Sequence, residues 1–236
     1  MEPEYEIITR EIDAKGKGYL ILRRCPPGQL EEAVRRGARA LLEAGASLLY
    51  AVSKDPAAPL TEGTWEHFSL SFSHDMLRLE RPLSPCPPAG PGLTLEPLCR
   101  EKGGQWLALY NECFFDVPNS ATYDRTSLER CLEAGSRCGF ALAEGVPVGV
   151  YELDCRGETP EIAGIALIKD ARGRGLGRAL LRACMAELAG SGAPSCTLLV
   201  STANTPALAL YRSEGFVQAD VAGRWYQILA RGDLLA

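Results

Sequence analysis

The chain is 236 residues long and 46% hydrophobic, enough to bury a substantial core in one large domain or two smaller ones. Its formal net charge of −5 leaves no overall basic footprint for nucleic acid or an anionic membrane, so small molecules or peptides are the partners to expect. The charged start, Met1 to Asp13, lacks the apolar core of a signal peptide and no stretch is long and apolar enough to span a bilayer, so the sequence reads as cytoplasmic.

Nine cysteines, an odd number without a Cys-x-x-Cys pair, are accompanied only by His67 and His74. No metal site is expected, and the cysteines read as small apolar fillers in a reducing compartment. A reactive thiol at Cys113 or Cys131 would need a base, and neither histidine is near them in sequence. His67 and His74, seven apart in a strand-like run, point to opposite faces of a regular strand.

From the N-terminus, Tyr5 to Ile12 and Gly18 to Leu22 are apolar-rich and flank the turn-forming DAKGKG, which predicts a hairpin or two successive strands. The Lys15-Gly-Lys17-Gly18 run is read as a solvated hairpin tip. Leu30, Val34, Ala38, Leu41 and Leu42 recur at helical spacing before a glycine stop at Gly45. Leu48 to Val52 reads as a buried strand, and alternation within Trp65 to Leu79 predicts another. This half, residues 1–83, is an α/β domain without a chemical motif. Residues 84–92, dominated by proline and glycine, form the expected connector to a domain at 93–236.

In that second domain Leu93 to Leu98 suits a strand and the stretch around Trp106, Leu109, Tyr110 and Cys113 a helix. Phe114 to Arg125 lacks periodicity, and Ser127 to Gly135 reads as a short helix. Phe140 to Glu144 and Val148 to Asp154 flank a turn as an antiparallel hairpin. Glu161 to Ile168 is an apolar strand that breaks into Arg172, Gly173, Arg174, Gly175, Leu176, Gly177 and Arg178. Leu176, Leu180, Cys184 and Leu188 then form a helical stripe ended by Gly190 and Gly192. Glycines that tolerate positive φ at a helix start let successive N–H groups face one concavity, and the helix dipole and arginines add positive charge. Pyrophosphate is the natural guest, against the alternative of a glycine-rich surface turn.

Spacing separates the possible glycine loops. Counted from Gly173, the third glycine of a dinucleotide fingerprint falls on Arg178, and the turn has no Gly-Lys-Ser/Thr. RNA or DNA binding through RGRG calls for a broader basic surface than this acidic chain offers. Arg172, Gly175 and Gly177 do match Arg-x-x-Gly-x-Gly, which resembles the acetyl-CoA signature of the GCN5-related N-acetyltransferases (GNAT). Downstream of a buried strand at Cys196 to Val200, Asn204, Ala207, Leu210, Tyr211, Gly215 and Phe216 are spaced as in the second signature of that family.

The resemblance covers about Leu93 onward. It implies a mixed sheet splayed at its middle and flanked by helices, with acetyl-CoA between the strands at Glu161 and Cys196 and a closing hairpin from Val217 to Val221 and Arg224 to Leu229. It places the pyrophosphate on Gly173 to Gly177 and the pantetheine arm along the backbone of Ala166, Leu167 and Ile168, with Lys169 where many members carry proline. Tyr211 matches the general-acid position, its alternative being a core aromatic, and Asn204 a cofactor contact, its alternative being a helix cap. Glu152, Asp154 and Glu161 adjoin the gap as candidate bases, led by Glu152. The expected activity is N-acetylation of the primary amine of a small molecule, amino acid or peptide by direct attack in a ternary complex. The alternative is a non-catalytic acyl-CoA-binding module. The protein is expected as a monomer or homodimer, with the N-terminal half either a degenerate second copy or an unrelated domain capping the acceptor side.

Overall fold

The computed structural model describes residues 2–88, 90 and 92–231. In chain order its elements are β1 (Glu4–Ile8), α1 (Ile12–Lys15), β2 (Lys17–Arg24), α2 (Leu30–Glu43), β3 (Leu48–Ser53), β4 (Gly63–Thr64), β5 (Phe68–Pro82) and β6 (Thr94–Pro97). There follow α3 (Gly103–Phe114), α4 (Arg125–Cys131), β7 (Ser136–Ala143), β8 (Val146–Asp154), β9 (Glu161–Leu167), α5 (Leu176–Gly190), β10 (Ser195–Ser201), α6 (Thr205–Ser213) and β11 (Val217–Ala230). The fold is a mixed α/β one, organised as two compact units. Unit one holds the described residues through Leu77, Ser201–Ala203 and those from Val221 on; unit two holds Arg78–Val200 and Asn204–Asp220. The proline- and glycine-rich segment lies within unit two, and its described residues form no regular element.

In unit one the strand order is β1-β2-β3-β11-β5, with β4 on β5. β1 and β2 pair antiparallel, whereas β2 and β3 are parallel and need α2 as their crossover. The β2–β3 ladder is continuous from Lys17↔Leu48 to Leu22↔Ser53. Ala33, Val34, Ala38 and Leu41 of α2 are buried against it, and Gly37 permits the approach because a Cβ there would come within 2.6 Å of Leu20. At the β2–α2 connection Pro26 and Pro27 have no N–H, and Cys25 N donates (2.8 Å) to the carboxylate of Asp55, which lies beyond β3 and also accepts from Ala57 N in its own loop (2.9 Å). Those two bonds, Cys25 first, hold the Asp55 carboxyl below its ordinary range.

The hairpin expected between Val217 and Leu229 is instead one unbroken strand. Gly223, the residue able to turn it, is not in the left-handed region that a tight hairpin requires. The far half of β11 pairs antiparallel with β3, from Trp225↔Val52 to Ile228↔Leu49, where Tyr226 and Ile228 join the unit-one core.

Unit two places its strands in the order β10-β9-β8-β7-β6. β6 to β9 form an antiparallel meander, with Glu144 (φ 52°) and Gly145 (φ 79°) making the two-residue turn between β7 and β8. β9 passes through α5 to the parallel strand β10. Among the described residues β9 and β10 pair at Thr197↔Glu161 and at no further position, so the sheet opens beyond that point. Trp106 of α3, fully buried, donates from Nε1 to Gly139 O at 2.9 Å and anchors the helical layer over β7. α4 begins at Arg125 because Asp124 caps it, accepting from Ser127 N at 2.8 Å. α5 buries Leu180, Leu181, Cys184, Met185 and Leu188, the stripe its spacing predicts. No helix among the described residues is long and apolar enough to cross a membrane.

Candidate functional site

The turn before α5 holds Gly173 at φ 73° and Gly175 at φ 81°. As a result the N–H groups of Gly173, Arg174, Gly175, Leu176 and Gly177 donate to no acceptor among the described residues. The amides on either side are occupied: Arg172 N bonds Lys169 O (3.1 Å), while Arg178 N and Ala179 N both bond Gly175 O. A Cβ at position 173 or 175 would meet nothing within 4 Å, so the concavity is open. Consecutive free donors at the start of a 15-residue helix fit a pyrophosphate without further positive charge.

The arginines of the turn divide their work differently from the sequence expectation. Arg172 turns inward: Nε donates to Leu167 O (2.9 Å), Nη2 to Cys113 O (2.9 Å) and Nη1 to both Asp116 oxygens. It braces α3 against the end of β9, its guanidinium nitrogens engaged by protein acceptors. Arg178 and Arg182 converge on the buried Glu214. Burial works to raise the Glu214 pKa, but the bonds from Arg182 and Arg178 outweigh it and hold the carboxyl below its ordinary range. Arg174 is exposed and pairs with no acid among the described residues, which leaves it as the turn's available cation.

This arrangement predicts that Arg172→Ala lowers stability by about 2 kcal/mol through loss of charged donors to two backbone carbonyls. Asp116→Asn should cost less than about 1 kcal/mol, since that ion pair is about a third exposed on both sides. Denaturant titration of both variants checks it; equal losses would put the weight on the ion pair.

Where β9 parts from β10, the Ile168 amide donates to Val148 O at 3.0 Å and is already used. By the alternation of an antiparallel ladder the Ala166 amide also faces β8, its partner being Val150. Of the three backbone groups expected along the cofactor, only Leu167 faces the opening, as its carbonyl bond to Arg172 requires. A Cβ on Gly177 would lie 3.7 Å from Leu210 and 4.0 Å from Leu167, so β9, α5 and α6 converge here.

Next to Leu210, Tyr211 is 8% exposed, and burial pushes its phenol well above the ordinary range, so it keeps its proton. The ring also packs 6.0 Å from Phe216, so the side chain has a packing role whatever its hydroxyl does. Asn204 caps α6, its Oδ1 accepting from Ala207 N at 3.4 Å; α6 starts at Thr205, so Pro206 stands second in the helix.

The carboxylates separate clearly. Asp154 is held by Arg156 through Nε (2.8 Å) and Nη2 (2.6 Å), which lowers its pKa and removes it as a base. Glu161 sits at the β9–β10 pairing, 29% exposed, 3.4 Å from Arg78. Glu152 is buried on β8 opposite Gly164 and Cys138. Burial raises its pKa, opposed by bonds from the Tyr123 hydroxyl (2.9 Å) and the Cys131 thiol (3.6 Å).

Tyr123 is a site residue the sequence reading missed. Asn111 clamps its backbone in both directions, donating to Tyr123 O (2.9 Å) and accepting from Tyr123 N (2.8 Å), and its ring stacks 3.9 Å from Tyr110. The aperiodic segment thus ends in an ordered aromatic aimed at Glu152. Its only local signal is the Asp124-x-x-Ser127 cap that follows. Burial raises the thiol pKa of Cys113 to about 12 and works in the same direction on Cys131, whose first cause is its bond to Cys138. Neither is an activated nucleophile.

A mixed sheet that opens beside a row of free amides at a helix start characterises this α/β domain. Residues 104–216 match the model of the acetyltransferase (GNAT) family. Among curated relatives, a mycothiol acetyltransferase of Thermobispora bispora is 32% identical over 168 residues, 64% of this chain and 56% of the relative. Another, from Clavibacter michiganensis, is 32% identical over 139 residues, 57% of this chain and 45% of the relative. The chain thus spans about half the length of the curated relatives it matches. In fold it is similar to a GCN5-related N-acetyltransferase from Sphaerobacter thermophilus (TM-score 0.60, 15% identity, 96% of this chain and 75% of that one). It is also similar to a tandem GNAT protein from the clavulanic acid biosynthesis pathway (TM-score 0.52, 16% identity, 92% and 76%).

Proposed function

We propose that the chain is an acetyl-CoA-dependent N-acetyltransferase that transfers the acetyl group to a primary amine by direct attack in a ternary complex. The observation that carries this reading is the row of free amides from Gly173 to Gly177 beside the opening between β9 and β10. Arg174 adds charge for a phosphate, and the outward Leu167 amide is a donor for the thioester carbonyl. Glu152 is the proposed acceptor of the amine's proton, because a carboxyl lifted by burial is a stronger base than an exposed one. Tyr211 is the proposed donor to the departing thiolate. Asn204 keeps a place beside the cofactor through its side-chain amide, the oxygen being used as a cap.

Glu161 gives a second reading for the base, favoured by its position where the strands part and by its partial exposure. The test is Glu152→Gln against Glu161→Gln under single-turnover conditions with a good amine acceptor. Glu152→Gln is expected to slow transfer by about 100-fold or more with acetyl-CoA affinity unchanged. A loss confined to Glu161→Gln would move the role there. Cofactor binding without turnover of any amine would leave a non-catalytic acyl-CoA module. The relatives' name puts an acceptor of the mycothiol kind at the head of the amine panel.

Unit one is proposed as a degenerate copy of the same design. Its β2–α2–β3 crossover repeats the β9–α5–β10 one, but the ladder stays closed, and Cys25 N of the β2–α2 connection is taken by the Asp55 carboxylate.

A further inference from the structure

Three side chains able to ligate a metal, from different parts of the chain, converge beside Tyr123. Cys131 ends α4, Cys138 lies on β7 and Glu152 on β8, all are buried, and their ligand atoms lie within 4.8 Å of one another. Sequence spacing gave no hint of this, since Cys131 and Cys138 lack the short separation of a metal-binding pair and the third ligand comes from another strand.

We propose that Cys131, Cys138 and Glu152 form a binding site for one thiophilic divalent ion of the Zn2+ class. Tetrahedral zinc with two sulfur ligands and one oxygen sets S···O at about 3.5 Å and S···S at about 3.8 Å. The Cys131 Sγ to Glu152 Oε1 separation is 3.6 Å, and the thiols need to close by less than about 1 Å from the 4.8 Å limit. The carboxylate is already oriented: Tyr123 holds Oε2 at 2.9 Å, which leaves Oε1 facing the thiols. Ser136 Oγ, 3.3 Å from Cys138 Sγ, supplies a similar outer contact. Two sulfurs and one carboxylate favour zinc or cadmium over magnesium or calcium, which take oxygen ligands.

Binding replaces two S–H bonds by two metal–sulfur bonds, with both protons released to solvent, and one Glu152 oxygen completes three protein ligands, leaving a fourth position for water. An ion on Oε1 occupies the lone pair that would take an amine proton. Where Glu152 is the base, this consequence for turnover rests on the function proposed above; the binding itself does not.

The experiment titrates Co2+, and then Zn2+ in competition, into the reduced full-length chain. One equivalent of Co2+ is expected to produce thiolate-to-cobalt absorption that Zn2+ abolishes. Cys131→Ser and Cys138→Ser should each weaken binding by about 100-fold or more, and Cys99→Ser, an exposed cysteine, should leave it unchanged. Should a serine variant lose its circular dichroism, Glu152→Gln gives the same reading with the side-chain shape kept. No charge-transfer band in the wild type, or a band that survives both serine variants, overturns the site. Acetyl-CoA calorimetry on the same samples keeps the two readings apart, because lost cofactor binding would strike the proposed function and leave the metal result standing.

Discussion

An aspartate in place of Gly175 is expected to abolish acetyl-CoA binding, with affinity falling by at least about 100-fold. The substitution puts a carboxylate beside five N–H groups that have no other acceptor among the described residues, so the side chain competes for the nest and repels a pyrophosphate. Little of the loss should come from misfolding. Nothing lies within 4 Å of a Cβ at this position, and the left-handed backbone, φ 81°, costs a non-glycine residue about 1 kcal/mol, with aspartate among the more tolerant. Calorimetry on the folded variant decides it. Unchanged affinity would remove the turn from the cofactor site, whereas Arg172→Ala, which leaves every one of those amides in place, should weaken binding only as far as it loosens the turn.

Tyr211→Phe is expected to lower kcat by about 100-fold or more while KM for acetyl-CoA stays nearly constant. The ring and its contact with Phe216 are retained, so melting temperature should barely change. The phenol is buried and holds its proton through the neutral range, as a donor to a thiolate must. Single-turnover measurement is required, since slow product release would mask a slower chemical step. Wild-type rates under those conditions would leave Tyr211 as packing and assign the proton to solvent.

What the sequence disclosed about the site was local, and what it withheld was not. The glycine turn, the α5 stripe and the Asn204 cap each depend on residues within a few positions of one another, where backbone conformation and helical spacing decide the outcome. Direction was harder to read. Arg172 belongs to a motif that suggests phosphate contact, yet its guanidinium meets carbonyls at 113 and 167 because those segments are brought together by the fold. The same holds for Ile168, whose amide is used by Val148 across a ladder whose register no local pattern fixes. The Tyr123–Glu152–Cys131–Cys138 group joins a loop, a helix end and two strands, and β11 reads locally as a hairpin because its partner β3 lies some 170 residues earlier.

From beyond β3 the Asp55 carboxylate reaches back to Cys25 N and ties the start of the β2–α2 connection to the end of the crossover. That bond is intramolecular, at an effective concentration that no metabolite level alters. In the proposed function the open amides before α5 gain stability only as acetyl-CoA is supplied, by about 2.7 kcal/mol at a hundred times the dissociation constant. Hydrogen exchange with and without acetyl-CoA should therefore show protection rising around β9, α5 and α6, while β2, α2 and β3, held by bonds within the chain, exchange as before.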